Sequence, residues 1–337
     1  MSFSIITPVL NSERVIKNFL DNITKSTKNL NFEIIFADGG SNDKTLEIIN
    51  NFKNILPIRV YDNPKKDFES GRVVGIKNSK YDIIFFLDSD NFITDTKFFL
   101  KFLKAYEDEN ILAAEPSSYT YMKDDNTANK IHSLIGCADP ISVFIKNYAH
   151  YSNISKKLMG INFLNINNRD FVKIKFIDKI PTIGANGFTI RKKALQKLKN
   201  YKNFSDIGRF VEFTSIYNDY NFAKIKTNIY HKSFDGYLHF CFKQKRRIKL
   251  YLLYRNKRIN TGYNWSTNRI GLFNFILANL FVFPLIIQAT IGFFNKNSKA
   301  WFFYPLYSLT TFYIYSFYFL IDFFRKTSQY KFENYKT

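Results

Sequence analysis

Cysteine is nearly absent from this sequence: 337 residues hold only Cys137 and Cys241, and neither has a CxxC neighbour. Two thiols build no disulfide framework, so a reducing compartment is expected. Acidic residues are also short, 28 against 49 Lys and Arg, which gives a formal net charge of +21. That imbalance suits a polyanionic partner: an anionic membrane face, phosphorylated small molecules or nucleic acid. The N-terminus, MSFSIITPVLN, carries no basic stretch and its apolar run stops at Pro8, so no signal peptide is expected. No glycine-rich basic loop follows that run, where TPVLNSE stands instead, and this argues against a sugar nucleotidyltransferase.

What the chain does have is alternation. FSIITPV, FEIIFAD, IRVYDN and YDIIFFLDSD read as strands, and helical stretches separate them. The stretch after the first strand places Val15, Ile16, Phe19, Leu20 and Ile23 on one helical face, with Asn11 or Ser12 as its N-cap. Strands that are apolar on both faces, separated by helices, predict an α/β fold: a mostly parallel sheet with helices on both faces. Ligands of such sheets bind at the carboxyl ends of the strands. Asp38 and the Asp88–Asp90 pair fall at those ends.

The last third changes character. Residues 232–258 hold nine Lys or Arg and one acid, Asp235, interleaved with Phe, Tyr and Leu. Ile270 to Phe294 then carries no charge, and Ala300 to Phe324 only Asp322. About 20 apolar residues cross a hydrocarbon core, so each run is long enough for a transmembrane helix. The basic residues before and after this hairpin place both termini in the cytoplasm. The segment before it is expected along an anionic membrane rather than on nucleic acid.

Two carboxylates spaced i and i+2 after the buried run IIFFL repel each other unless a cation sits between them. A hard divalent cation held by carboxylates and substrate phosphates meets that need. SIITPVLNSE, EIIFADGGSNDKT, GRVVGI and IIFFLDSDN, in this order over residues 3–91, resemble the motifs of the family 2 glycosyltransferases with the GT-A fold. Two departures stand out: Val73 replaces a family Asn, and Asp38 stands alone where a double acid is usual.

The resemblance implies a Rossmann-like GT-A catalytic domain over 1–231, with a nucleotide-binding half, 1–91, and an acceptor half, 92–231. A basic amphipathic membrane-surface segment, 232–268, a transmembrane hairpin, 269–326, and a cytoplasmic tail, 327–337, complete the expected organisation. It implies that Asp38 reads the nucleobase, with Pro8, Asn11, Glu13 and Gly40 around base and ribose and Arg72 near the nucleotide. Asp88 and Ser89 would touch the ribose or the metal. Asp90, with Asp88 and His231, would bind Mg2+ or Mn2+. IPTIGANGFTIRKKAL resembles the family segment beside the donor sugar and brings in Gly184, Ala185 and Asn186. Asp206 falls where the family places its catalytic base, with Glu212 in reserve; Asp206 would equally suit a helix N-cap. The activity implied is a membrane-anchored inverting transfer from a UDP- or GDP-linked sugar to a hydroxyl of a lipid-linked glycan. Two rival readings are a polyprenyl-phosphate monosaccharide synthase, whose acceptor needs no base, and a non-catalytic membrane scaffold of the same descent.

Overall fold

The computed structural model describes residues 1–148, 150–159, 163–176, 186–196, 222–254 and 268–324. Four parallel strands begin it: β1 (Ser2–Val9), β2 (Asn31–Asp38), β3 (Ile58–Asp62) and β4 (Ile83–Phe86). Helices α1 (Glu13–Ser26), α2 (Thr45–Asn51) and α3 (Phe68–Asn78) alternate with them. After β4 come β5 (Asn91–Phe92), α4 (Phe98–Ala105), β6 (Ala113–Thr120), α5 (Thr127–Ile135) and α6 (Ile141–Ile145). The short strands β7 (Tyr151–Ser152) and β8 (Lys157–Leu158) form a separate pair. Then follow β9 (Phe163–Asn167), β10 (Phe171–Phe176), β11 (Phe188–Arg191), α7 (Lys192–Gln196) and β12 (Phe222–His231).

Strand order in the large sheet is β3-β2-β1-β4-β11-β6-β12-β10-β9, with β5 pairing β12. The expected parallel pairing holds through β3-β2-β1-β4. Beyond β4 the sheet is mixed: β11 runs antiparallel to both neighbours, whereas β6 and β12 pair parallel. The strands predicted from two-sided apolar runs are buried as expected, because β1, β2 and β4 lie inside the sheet with helices against them. Phe3, Phe85, Phe99 and Phe102 pack ring on ring under α4.

On α1 the face Ile16, Phe19, Leu20 and Ile23 is buried. Its predicted cap differs. Ser12 makes no side-chain cap bond, and instead Asp43, from the loop after β2, accepts from the Glu13 N–H at 3.1 Å. α3 lies unusually close to β1, because a Cβ at Gly71 would meet the Pro8 ring at 2.8 Å and one at Gly75 would clash with Ile6.

The C-terminal third is helical. α8 (Tyr237–Tyr254), α9 (Arg269–Phe281), α10 (Phe283–Asn295), a single 3-10 turn over Lys299–Phe303 and α11 (Tyr304–Phe324) follow β12. They share a core with the catalytic part, in which Ile131 and Leu134 of α5 meet Phe234, Phe240, Ala278 and Trp301. The expected hairpin is supported only in part, by one bent apolar helix pair. Ile270 to Phe294 is not one helix but α9 and α10, bent by 98° at Val282. Val282 has φ 60°, outside the helical region, and Pro284 follows in the first turn of α10. Among the described residues no single helix is long and apolar enough to cross a membrane.

Candidate active site

The site forms where β2, β1 and β4 end, and the strand order itself gathers the acids. Asp38 closes β2 and Asp88 follows β4, one strand to either side of β1, which sets their backbones about 10 Å apart at normal strand spacing.

Asp38 is 6% exposed. Its carboxylate accepts from the Gly40 N–H at 3.0 Å, the Ser41 N–H at 3.1 Å and the Ser41 hydroxyl at 2.5 Å. The loop therefore wraps its own acid. Gly40 makes the turn possible with φ +85°, a conformation that side chains with a Cβ rarely adopt. The neighbouring loop after β1 is locked to it reciprocally. Asn11 Oδ1 accepts from the Asn42 N–H at 3.0 Å, Glu13 Oε2 accepts from the Lys44 N–H at 3.1 Å, and Ser12 N–H donates to Thr45 Oγ1 at 2.7 Å. The structure thus gives Asn11 and Glu13 a bracing position between two loops. Pro8 lies in β1 with its ring against Gly71.

Arg72 is delivered by α3, whose first turn is capped by Asp67 accepting from the Ser70 N–H at 2.7 Å. The close approach at Gly71 and Gly75 brings the guanidinium under the end of β4. There one nitrogen donates to both oxygens of Asp88, at 3.1 and 3.3 Å, and another to Glu69 Oε1 at 3.0 Å. The buried Arg72 Nε has no hydrogen-bond partner among the described residues. Asp88 therefore faces a cation already. Among the described residues no three acidic, His or Cys groups stand together to hold a metal, and Asp88 is engaged by Arg72.

Residues 88–91 form a tight turn, with the Asn91 N–H donating to the Asp88 carbonyl at 2.9 Å and Ser89 half-buried at its tip. Asp90 Oδ1 lies 3.4 Å from His231 Nδ1, which β12 brings across the sheet by pairing with β5. Burial alone would raise the Asp90 carboxyl. The nearby His231, and Lys243 beyond it, outweigh burial and hold it below the usual carboxylate range. Burial, with Arg247 adding to it, pulls Lys243 below the usual lysine range against the opposing pull of Asp90. Lys243 Nζ donates to the Ser233 carbonyl at 2.6 Å.

Asn91 joins these parts, and its sequence neighbourhood gives it no prominence. The side chain accepts from the Asp88 N–H at 3.1 Å. Its amide nitrogen lies 3.2 Å from Asp90 Oδ1, 3.1 Å from Asn186 Oδ1 and 3.0 Å from His231 Nδ1. Asn186 is thereby brought into the site; Gly184, Ala185, Asp206 and Glu212 lie outside the described residues. Behind Asn186 a buried polar layer continues: its amide lies 3.5 Å from the Tyr119 hydroxyl, and the Tyr119 ring packs against His132 and His150. Deeper still, Lys224 pairs with Glu115, both fully buried.

A carboxylate and an imidazole at the rim, one half-exposed, fit a divalent cation that takes most of its ligands from substrate phosphate and water. Asp90 and His231 are the residues that would hold it.

The profile described as Glycosyl transferase family 2 matches residues 4–199, more than half of the chain and all of the strand-end acids above. The chain belongs to glycosyltransferase family 2.

Among relatives of this family 2 glycosyltransferase, the poly(ribitol-phosphate) beta-N-acetylglucosaminyltransferase TarS of Staphylococcus aureus is 33% identical over 113 residues. That match spans 33% of this chain and only 19% of TarS. TarP of the same organism, named for the same activity, is 28% identical over 232 residues, 64% of this chain and 63% of its own. Of solved structures, a Pyrobaculum calidifontis mannosyltransferase in complex with GDP-Man and Mn2+ shares the fold. It has a TM-score of 0.52 at 11% identity and covers 93% of this chain and 86% of its own. That likeness supports a GT-A-like fold for the family 2 chain.

Proposed function

We propose that this protein moves a sugar from a nucleotide-diphosphate donor to a hydroxyl of a lipid-linked, phosphate-bearing glycan, with inversion at the anomeric carbon. The observation that carries this is the convergence of the Asp38 loop after β2, the Arg72–Asp88 pair after β4 and the Asp90–His231 pair that β12 completes through β5.

In this reading the base and ribose of a UDP- or GDP-linked donor lie over the braced loops that carry Asn11 and Asp38. Asp38 stiffens its own loop and offers its remaining lone-pair capacity to a ring N–H. Arg72 holds Asp88 in place for the ribose. A divalent cation, Mg2+ or Mn2+, would be held by Asp90 and His231 and would supply positive charge for the departing diphosphate. Lys243 adds charge from the opposite side. Asn186 borders the donor sugar, and Asp206, with Glu212 in reserve, takes the proton from the attacking hydroxyl.

The formal charge of +21 suits a polyanionic acceptor, as do relatives whose names specify poly(ribitol-phosphate). The apolar and basic C-terminal third suits a membrane location on the face where nucleotide sugars are made, with the catalytic part in the cytoplasm.

Hydrolysis and transfer measured across a panel of UDP- and GDP-sugars with Mn2+ tests the reading. One donor is expected to turn over, and Asp206→Asn is expected to lower transfer to a hydroxyl by about 10² to 10⁴. An unchanged rate in Asp206→Asn would favour a phosphate acceptor, which needs no base. Absence of any nucleotide binding would leave only a scaffold.

A further inference from the structure

The C-terminal helices are apolar on their exposed faces as well as their buried ones. Outward on α9 stand Ile270, Phe273 and Leu280; on α10, Phe283, Ile287 and Phe294, the last 81% exposed; on α11, Leu306, Tyr313 and Phe317. Their spacing of three, four or seven residues marks one continuous stripe on each helix. The inward faces bury Phe275, Ala278 and Leu285 together with polar side chains of these helices. Asn279, Ser308 and Thr311 are buried, and the Tyr315 hydroxyl lies 2.6 Å from Asp139 Oδ2 and 2.8 Å from Gln244 Oε1. Large apolar side chains left in water forgo their burial free energy, so three stripes of them call for an apolar phase rather than solvent.

Two spans crossing that phase do not fit the contacts. At the start of α9, Asn268 Nδ2 donates to the Ile145 carbonyl at 3.3 Å, and Gly271 allows the helix to press on Phe144. At the end of α10, Asn295 Nδ2 donates to the Asn153 carbonyl at 2.8 Å, and Lys296 stands over the Tyr121 ring. Both ends of the bent pair thus touch the same catalytic domain, whereas a span would carry one end to the far side. Each of the two helices has 13 residues and so reaches about 20 Å, short of a hydrocarbon core of about 30 Å.

The longer α11 does not cross either. It runs beside α8 for most of its length: Tyr237 meets Thr310, Phe240 meets Tyr307, and Tyr251 meets Phe319. Lys245 lies in the groove between the two, beside Tyr313 and Phe317 at the middle of α11. A crossing α11 would carry Lys245 and its exposed neighbour Arg246 to bilayer depth, where an unpaired cation is strongly disfavoured.

We propose that α9, α10 and α11 form a wedge seated in one leaflet of an anionic bilayer, with Lys245 and Arg246 of α8 at the phosphate headgroups and no segment of the wedge crossing. Charge selects this occupant over a second copy of the chain, because the same basic helix that borders the apolar stripes would face itself in a dimer. The proposal rests on the membrane part of the reading above and is independent of which sugar moves.

The full chain is tested in two ways. In flotation, it is expected to rise with vesicles containing about a third phosphatidylglycerol and to stay down with pure phosphatidylcholine. Phe283→Asp combined with Phe294→Asp is expected to lose flotation while keeping nucleotide binding. For topology, Asn297→Cys in the exposed turn and Glu109→Cys on the catalytic surface are made in a Cys241→Ser background. An impermeant maleimide is expected to label both only in inverted membrane vesicles. Labelling of Asn297→Cys in intact cells, with Glu109→Cys protected there, would establish a crossing and overturn the proposal. A chain that ignores vesicles and runs as a dimer without detergent would overturn it in favour of a second copy. Nucleotide binding by the same samples separates either failure from a failure of the glycosyltransferase reading.

Discussion

Asn91 shows what a single uncharged residue contributes at a site of charges. Its amide touches the adjacent Asp90 and groups from two distant parts of the chain, and replacing it with Ala removes all of these contacts without altering any candidate metal ligand. Partners that orient metal ligands typically change metal affinity by about 10- to 100-fold when lost. Asn91→Ala is therefore expected to raise the Mn2+ concentration needed for half-maximal nucleotide binding by at least about tenfold, with the thermal midpoint little changed. Titration of nucleotide binding against Mn2+ reads this directly. Asp67 acts at the same scale but on stability. Burial alone would raise its carboxyl, yet the Ser70 N–H and hydroxyl hold it below the usual range. A depressed folded-state value means the cap stabilises above the unfolded-state pKa of about 4 and is lost as pH falls through the folded value. Asp67→Ala is expected to cost about 1 kcal/mol near neutrality and progressively less below pH of about 4, as denaturant titrations at several pH values would show.

At the scale of elements, the pairing of α3 with β1 sets where Arg72 arrives. Gly71 and Gly75 face Pro8 and Ile6 with no room for a side chain. Gly75→Val is expected to push α3 off the strand, costing about 1–3 kcal/mol by overpacking, and to weaken nucleotide binding because Arg72 then misses Asp88. Equilibrium denaturation and nucleotide titration on one sample measure both effects. This contact was not legible from the sequence, where GRVVGI offers only glycines in a helical stretch. The strands were legible, because β1, β2 and β4 bury both faces and their residues are apolar without alternation. The elbow between α9 and α10 was not. A run of 25 uncharged residues carries the composition of a span whether it is straight or bent, and only Pro284 hinted at a break. The bend comes from the backbone at Val282, which no hydrophobic pattern records.

Over the whole molecule, residues 1–91 were readable because their motifs are local: three end single strands and the fourth, GRVVGI, lies in one helix. The rest of the site is assembled from far apart in the chain. Asn186 and His231 reach Asn91 over 95 and 140 residues, and only the mixed second half of the sheet brings them there. The Glu115–Lys224 pair is hidden for the same reason, with 109 residues between its members. Sequence signals identified Asp90 and His231 as chemically apt, but not that Arg72 already occupies Asp88.

The junction at Asn91 has one further implication. A primary amide owns two hydrogens, and here Asp90 Oδ1, Asn186 Oδ1 and His231 Nδ1, the last donor or acceptor by tautomer, crowd the same nitrogen and compete for its contacts. An incoming cation that engaged the acid and the imidazole would free the amide for Asn186 and slacken the competition, so that filling the site also tidies its wiring.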